Sequence, residues 1–252
     1  MKTLEDALKL SPSRVTAYEQ CPRLYWYRYE PDSPKVTRPP SAALSFGNSL
    51  HAAMRSLYQQ GGPAHVPTAH LPAMLSAVWR SEGYARPEEE QTAKRRAVAA
   101  LVSYQERNRS FPTRSLYVES FLEAVVDDIP LLVRPDRVDI LSPGLLAVEY
   151  KIGRNAQLGL QQMAIAYLVL WKLLRQPSDR PIRFLLVHLD SGQEEQQELT
   201  EEKAFEQLAL YSALRRRILQ REFLATPSAA VCALCEAGKV CVYSFKPLSR
   251  ED

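Results

Sequence analysis

The sequence is poor in cysteine, with four among its 252 residues. So few thiols exclude a small secreted fold that depends on a disulfide framework. Long hydrophobic runs are also missing, since the most apolar stretch, "MAIAYLVLW", is far shorter than a bilayer span and predicts a buried helix. Internal repeats and low-complexity tracts are absent as well. The sequence therefore predicts an ordinary globular protein with no membrane segment.

A strong charge excess is missing too, because 32 basic and 29 acidic side chains leave a net charge of +3. That balance does not by itself indicate a nucleic-acid-binding protein. The first residues, "MKTLEDALKLSPSR", contain acids and no apolar run, unlike a secretory signal. We therefore expect a cytoplasmic location, where clustered thiols hold metal more often than they form disulfides.

Helical signals dominate the first 110 residues. Ser11 is a good N-cap with Pro12 at the first helical position, and a second, aromatic helix "RLYWYRY" follows the break at Pro22. The stretch "SFGNSLHAAMRSLYQQ" predicts a helix with one apolar stripe. Two further helices are predicted within 71–82 and 88–108.

From residue 115 the hydrophobic period changes to that of strands. Three β-like runs, "SLYVESFLEAVV", "LLVRPDRVDIL" and "LLAVEYKIG", precede the long helix "QLGLQQMAIAYLVLWKLL", the strand "RFLLVHL" and a helix at about 200–221. This αβββαβ order predicts one α/β domain over residues 1–252, with a mixed central sheet flanked by helices. Within it we predict a helical insertion at 61–112 and a core at 113–221.

The stretch "RPDRVDILSPGLLAVEYKIG" predicts a hairpin whose turn is formed by residues 142–144. Pairing of strands 136–141 and 145–150 sets Asp136 opposite the Glu149–Tyr150 region, where opposed Cβ atoms lie roughly 5 Å apart. Alternation places Glu149 and Lys151 on one face and Tyr150 on the other. Two carboxylates beside a lysine suit a hard divalent metal such as Mg²⁺. The lysine can then hold or deprotonate a water that attacks a phosphodiester polarised by the metal.

Three of the four cysteines lie in "CALCEAGKVC", at positions 232, 235 and 241, and the fourth is Cys21. Four thiolates are enough for a [4Fe–4S] cluster or for a Cys₄ zinc site, and the spacing alone leaves both open. Either would join the segments 11–30 and 222–245 and contribute folding free energy. The simpler alternative is four unrelated buried thiols.

Several motifs together resemble a known family. "PD" at 135–136 and "EYK" at 149–151 are similar to the signature of the PD-(D/E)XK nuclease superfamily. "SPSRVTAYEQCPRLYWYRY", "GNSLH" and "VRPDRVD" resemble motifs of its RecB-like branch. The cysteine-rich C-terminal segment resembles the AddB-like iron–sulfur exonucleases and the CRISPR-adaptation exonucleases. The resemblance spans residues 11–241 in the same order.

This resemblance implies a restriction-endonuclease-like core and a Mg²⁺- or Mn²⁺-dependent deoxyribonuclease. It implies a hydrolase that acts as an exonuclease on single-stranded DNA ends in DNA repair, recombination or defence, with a helicase or recombination protein as partner. The implied metal ligands are His51, Asp136, Glu149 and the carbonyl of Tyr150, while Lys151 positions the attacking water. It also favours a [4Fe–4S] cluster as a structural staple on Cys21, Cys232, Cys235 and Cys241.

Two departures from the family pattern stand out. Val133 and Pro135 replace a glycine and a branched residue, and a proline inside a strand predicts an edge or a bulge. The branch has a Q-x-x-x-Y motif on the helix after the catalytic strand, but here no glutamine lies four residues before Tyr167. Gln162 is carried over as a catalytic-site residue.

The remaining signals are interpreted as structural. We expect Asp139 to face away from the site, and the lysine and arginine runs at 94–96 and 215–217 to be solvated helix faces. Glu119 falls where nucleases of the resembled family often have an acid, but a strand glutamate is more often solvated, and we expect it to be solvated. The aromatic residues of "RLYWYRY" either stack on bases or, more commonly, pack in a core. The rival functions are a non-catalytic iron–sulfur or zinc DNA-binding module and a helicase accessory subunit.

Overall fold

The computed structural model describes residues 9–34, 36, 40–111, 113–153, 159–174 and 181–245. Helix α1 (Pro12–Gln20) is capped by Ser11, whose hydroxyl accepts a hydrogen bond from the Arg14 N–H at 3.4 Å. Helix α2 (Pro22–Tyr29) follows after a single extended residue, Cys21. The break arises because proline has no N–H with which to continue the first helix. Both helices are confirmed as predicted.

Three helices follow in the first half of the chain, namely α3 (Ala42–Gln59), α4 (Leu71–Val78) and α5 (Pro87–Asn108). They pack on one another, and the predicted stripe of α3 forms their shared core, since Leu50, Met54 and Leu57 are almost fully buried. The last two of these helices, with a short 3₁₀ turn before them, occupy the interval expected to be a helical insertion.

Seven strands follow in the described part of the chain: β1 (Ser115–Val118), β2 (Leu122–Val126), β3 (Ile129–Val133), β4 (Arg137–Ile140), β5 (Leu145–Lys151), β6 (Ile182–His188) and β7 (Glu194–Glu198). Five of them form one sheet in the order β1-β4-β5-β6-β7, and β2 and β3 form a separate hairpin. The β5–β6 pair is parallel and the other pairs in the large sheet are antiparallel. The central sheet is therefore mixed, as predicted.

Two of the β-like runs each divide into two strands that belong to different sheets, which corrects the prediction. The first run breaks at Glu119, whose backbone lies in the left-handed region with φ of 48°. The second breaks at Arg134 and Pro135, so the proline lies between strands and not inside one. Strand β7 was not predicted because its sequence, "EEQQE", is polar throughout, as is common for an exposed edge strand.

Helices cover both faces of the sheet. On one face, α6 (Leu160–Leu174), α7 (Glu201–Leu219), α1, α2 and the β2–β3 hairpin share a core that includes Val138, Ala147 and Phe184 of the sheet. On the other face, the α3–α5 helices cover Val148 and Tyr150. This arrangement is an α/β fold consistent with a restriction-endonuclease-like core. The short helix α8 (Ala229–Leu234) lies in the cysteine-rich segment.

The turn between β4 and β5 lies tightly against the start of β6. Gly144 has φ of 107°, and a Cβ atom at this position would collide with the carbonyl oxygen of Pro181. That same oxygen accepts a hydrogen bond from the N–H of Leu145 at 3.0 Å. Only glycine fits here, because it combines the left-handed backbone with the absence of a side chain.

The apolar helix α6 connects the two parallel strands as a buried crossover. Among the helices that the structure describes, none combines the length and the apolar character needed to cross a membrane.

Candidate active site

Asp136 begins the site at the bend that precedes β4. The β4–β5 register pairs Arg137 with Val148, so the next position outward sets Asp136 opposite Glu149, as the sequence predicted. One carboxylate oxygen of Asp136 accepts a hydrogen bond from the Tyr150 N–H at 2.7 Å. This hydrogen bond lies just beyond the last backbone pair of β4 and β5, and it holds the carboxylate against the end of β5.

Helix α3 brings His51 to the other oxygen of this carboxylate. The distance from His51 Nδ1 to Asp136 Oδ1 is 3.0 Å. Glu119 completes the group, with its carboxylate 3.9 Å from the same nitrogen. Ligand atoms of these three residues all lie within 4.8 Å of one another. Within the described residues this is the one set of three or more histidine, cysteine or carboxylate groups that meets this limit.

Glu119 was expected to be solvated, and this prediction was wrong. Its side chain is only 5% exposed and accepts a hydrogen bond from the guanidinium of Arg134. The β1–β4 pairing places Val118 opposite Arg137, and the Glu119 N–H donates to the carbonyl of Asp136 at 2.9 Å. Since this strand pairing spans the intervening β2–β3 hairpin, no local pattern in the sequence indicates it.

Glu149 and Lys151 form the second part of the site. Alternation puts both on one face of β5, where the lysine Nζ donates to Glu149 Oε1 at 2.7 Å. Gln162 of α6 also donates a hydrogen bond to the Glu149 carboxylate. Glu149 is not one of the three residues whose ligand atoms lie within 4.8 Å of one another, but its charge helps to raise the pKa of His51. The structure therefore brings together the four predicted residues Asp136, Glu149, Lys151 and Gln162.

Burial and mutual repulsion perturb the carboxylates and the histidine. Burial, followed by the charge of Asp136, raises the pKa of Glu149 despite the opposing effect of Lys151. For His51, burial alone would lower the pKa, but the hydrogen bond and charge of Asp136, helped by Glu149 and Glu119, raise it. Several acids crowded at one buried point favour a bound cation, which would relieve their repulsion.

A buried arginine network lies directly beneath the site. Arg137 donates to Asp139 Oδ2 at 2.9 Å, to the Tyr104 hydroxyl at 2.9 Å and to the Tyr150 hydroxyl. Its guanidinium also lies 3.9 Å from the centre of the Tyr58 ring. Asp139 faces away from the metal group, as expected. The network joins β4, β5, α3 and α5 next to the strand end that holds Asp136.

The four cysteines line one small pocket between helix α2 and the C-terminal segment. All are free thiols, with Cys21 and Cys232 buried and Cys235 and Cys241 partly buried. Burial, with the nearby charges of Glu236, Cys241 and Cys232, raises the pKa of the Cys235 thiol against a favourable Ala237 N–H. Among the described residues, no three of these sulfur atoms lie within 4.8 Å of one another. An assembled cluster site is therefore not shown.

Residues 9–242 match the sequence profile of the PD-(D/E)XK nuclease superfamily. The chain belongs to this superfamily. A solved structure described as "Crystal structure of SSO0001" aligns with 13% sequence identity and a TM-score of 0.36, over 85% of this chain and 90% of that chain. A similarity at that level carries no argument about function. No curated protein matches the chain.

Membership explains why the acids and the lysine occur together, since PD-(D/E)XK nucleases use divalent metals such as Mg²⁺ or Mn²⁺ and act on DNA. The residues in the site fit such an ion, because carboxylate oxygens and a histidine nitrogen converge at one partly open point. The RecB-like branch rests on the resemblance alone.

The secondary site predictions have different outcomes. Gln162 lies beside Glu149, whereas Tyr167 is buried in the core near Glu201 of α7. Tyr25 and Tyr27 of the aromatic helix are also buried, so core packing and not base stacking is their role.

Proposed function

We propose that this PD-(D/E)XK nuclease is a Mg²⁺- or Mn²⁺-dependent exonuclease that degrades single-stranded DNA from its ends. The observation that carries the metal-dependent hydrolysis is the convergence of His51, Glu119 and Asp136 within 4.8 Å, while the preference for single-stranded ends comes from the family resemblance. Beside them lies the Lys151–Glu149 pair, at 2.7 Å. An ion-binding group next to a cationic hydrogen-bond donor is the arrangement required for metal-assisted phosphodiester hydrolysis.

Each side chain has a distinct role in this proposal. His51, Asp136, Glu149 and the carbonyl of Tyr150 hold the metal ion, and Glu119, which was expected to be solvated, joins them as a ligand. The metal supplies Lewis-acid polarisation of the phosphate when bound. Lys151 orients the attacking water through its ammonium group, and Gln162 holds the Glu149 carboxylate in place.

We also propose a [4Fe–4S] cluster on Cys21, Cys232, Cys235 and Cys241, serving as a structural staple. The support is the one pocket that all four cysteines line. The resemblance of their spacing to that of the iron–sulfur nucleases favours this cluster over zinc.

The biological setting follows from the substrate. A nuclease that needs free single-stranded ends requires a partner that separates or exposes strands, such as a helicase or recombination protein. We place this activity in DNA repair, recombination or defence within the cytoplasm, where the thiols remain reduced.

The proposal is tested with protein purified anaerobically. We expect a brown preparation with broad visible absorption, and metal-dependent loss of end label from single-stranded DNA. Circular single strands should resist degradation, because an exonuclease needs an end. A colourless protein containing zinc would remove the cluster from the proposal.

The catalytic assignment is tested with Lys151→Ala against the matched control Lys203→Ala, an exposed lysine on α7. We expect the first change to lower the cleavage rate by about 10²–10⁴-fold, the usual contribution of a residue that assists proton transfer, and the second to leave it unchanged. If the wild-type protein binds DNA but shows no metal-dependent cleavage, the chain is a non-catalytic DNA-binding module.

A further inference from the structure

An exposed aromatic ring stands beside the candidate metal group. Phe121, in the short link between β1 and β2, is 68% exposed, and the Arg134 guanidinium lies 5.3 Å from its ring centre. The β2–β3 ladder pairs Leu122 with Val133, so its next position outward sets Phe121 opposite Arg134. The ring and the cation are therefore held together by strand register.

The ring lines a cleft of about 680 Å³ that runs between the hairpin and helix α1. The helix presents Ser13, Thr16 and Gln20, three exposed polar residues that share one face. Hydrogen bonds between Leu10 and β3, at 2.8 Å each, fix the start of this helix at the hairpin edge. Both walls of the cleft thus belong to elements that are bonded to each other.

The charge in the cleft suits an anion. Among the described residues that line it, none is acidic, and the two charged ones are Arg28 and Arg134. Arg28 is already paired with Glu236. Arg134 donates to Glu119, and its side chain is 46% exposed. It can therefore meet a phosphate oxygen while it remains anchored.

The cleft borders the candidate active site. Val133 and Gln162 line both the cleft and the smaller pocket around Glu149. At its other edge Arg134 contacts Glu119, one of the three groups within 4.8 Å of one another. A strand lying along this cleft would thus reach the metal group at one end.

We propose that Phe121 and Arg134 form a stacking platform for an unpaired base of the DNA strand, next to the phosphate held at the active site. Base–aromatic stacking is tolerant of sequence because every base has a flat π-face, and the cation above the ring adds to it. Bases in a duplex have both faces covered by neighbours, so the platform selects unpaired nucleotides. This inference rests on the proposed function and names the residue that sets strand preference.

The test compares Phe121→Ala, Phe121→Trp and the control Phe111→Ala, which removes a ring of similar exposure, 66%, outside the cleft. Binding of a fluorescent single-stranded oligonucleotide is measured in EDTA by anisotropy, with a parallel series carrying one abasic position each. Wild-type protein should lose affinity at one abasic position. Phe121→Ala should bind the intact strand about 10-fold more weakly and lose nothing further at that position. Phe121→Trp should restore both.

Cleavage kinetics provide the second measurement. We expect Phe121→Ala to raise KM about 10-fold on single strands with kcat unchanged, and Phe111→Ala to change neither. Unchanged binding and an unchanged abasic profile in Phe121→Ala would overturn the platform and leave the nuclease intact. Stacking-dependent binding without any cleavage by wild type would overturn the proposed function and leave the platform.

Discussion

The polar group at the sheet end and the thiol group near the C-terminus differ in how closely their ligand atoms lie to one another. His51, Glu119 and Asp136 come from a helix, a turn and a strand end, yet their ligand atoms already lie within 4.8 Å. The four cysteines share a pocket, but among the described residues no three sulfurs approach that closely. The difference teaches that sheet register and one helix bring the first group within ligand distance, whereas the second group shares a pocket without such close spacing.

Removal of a thiol should have the largest effect. Cys232→Ser is expected to abolish iron binding and to unfold the joined terminal segments, because structural metal sites contribute on the order of 10 kcal/mol to folding. Iron content and thermal unfolding measure this. A matched control is Ser228→Ala, which removes only the cap of α8. Retention of the wild-type Tm by an iron-free Cys232→Ser protein would contradict the staple.

The second test concerns the support of the polar group. Arg137→Met leaves Asp139 buried without its charged partner, so the free energy of unfolding should fall by about 3–5 kcal/mol. Urea denaturation in EDTA provides the measurement, with Arg95→Met on the exposed face of α5 as the control. A loss below about 1 kcal/mol would show that the network does not hold the site together.

The third test concerns the ligand that was missed. Glu119→Gln keeps the hydrogen bond to Arg134 but removes one negative charge from the metal group, so Mn²⁺ affinity should fall about 10-fold. Titration calorimetry measures this, and Glu123→Gln, which alters an exposed ion pair with Lys9, serves as the control. Equal Mn²⁺ affinity in both variants would exclude Glu119 from the ligand set.

The smallest effect should come from the divalent ion itself. Mg²⁺ at a concentration equal to its Kd should stabilise the fold by only about 0.4 kcal/mol. Thermal unfolding with and without EDTA tests this expectation. A collapse of the fold in EDTA, with the cluster still present by its visible absorption, would remove the contrast between the two groups.

The local parts of this architecture could be predicted, and the non-local parts could not. The hairpin that sets Asp136 opposite Glu149 depends on a turn within the same twenty residues, so alternation and turn chemistry were sufficient. Glu119 reaches the site only through the β1–β4 pairing, which spans another hairpin. The polar strand β7 carries no hydrophobic signal. Pro135 signalled an interruption, but the sequence did not show that the chain changes sheets there.

Gly144 lies in the turn of the central hairpin, at the end opposite Asp136 and Glu149. Tyr150 lies six positions further along the chain, roughly 20 Å away at about 3.3 Å per residue, so Gly144 lies far from any reacting atom. Any side chain there would nevertheless push the turn away from Pro181 and disturb the strand pairing that aligns Asp136. A mutational screen scored only by DNA degradation would therefore rank this glycine beside the acids and the lysine. A residue can therefore be highly sensitive to substitution without taking part in the chemistry.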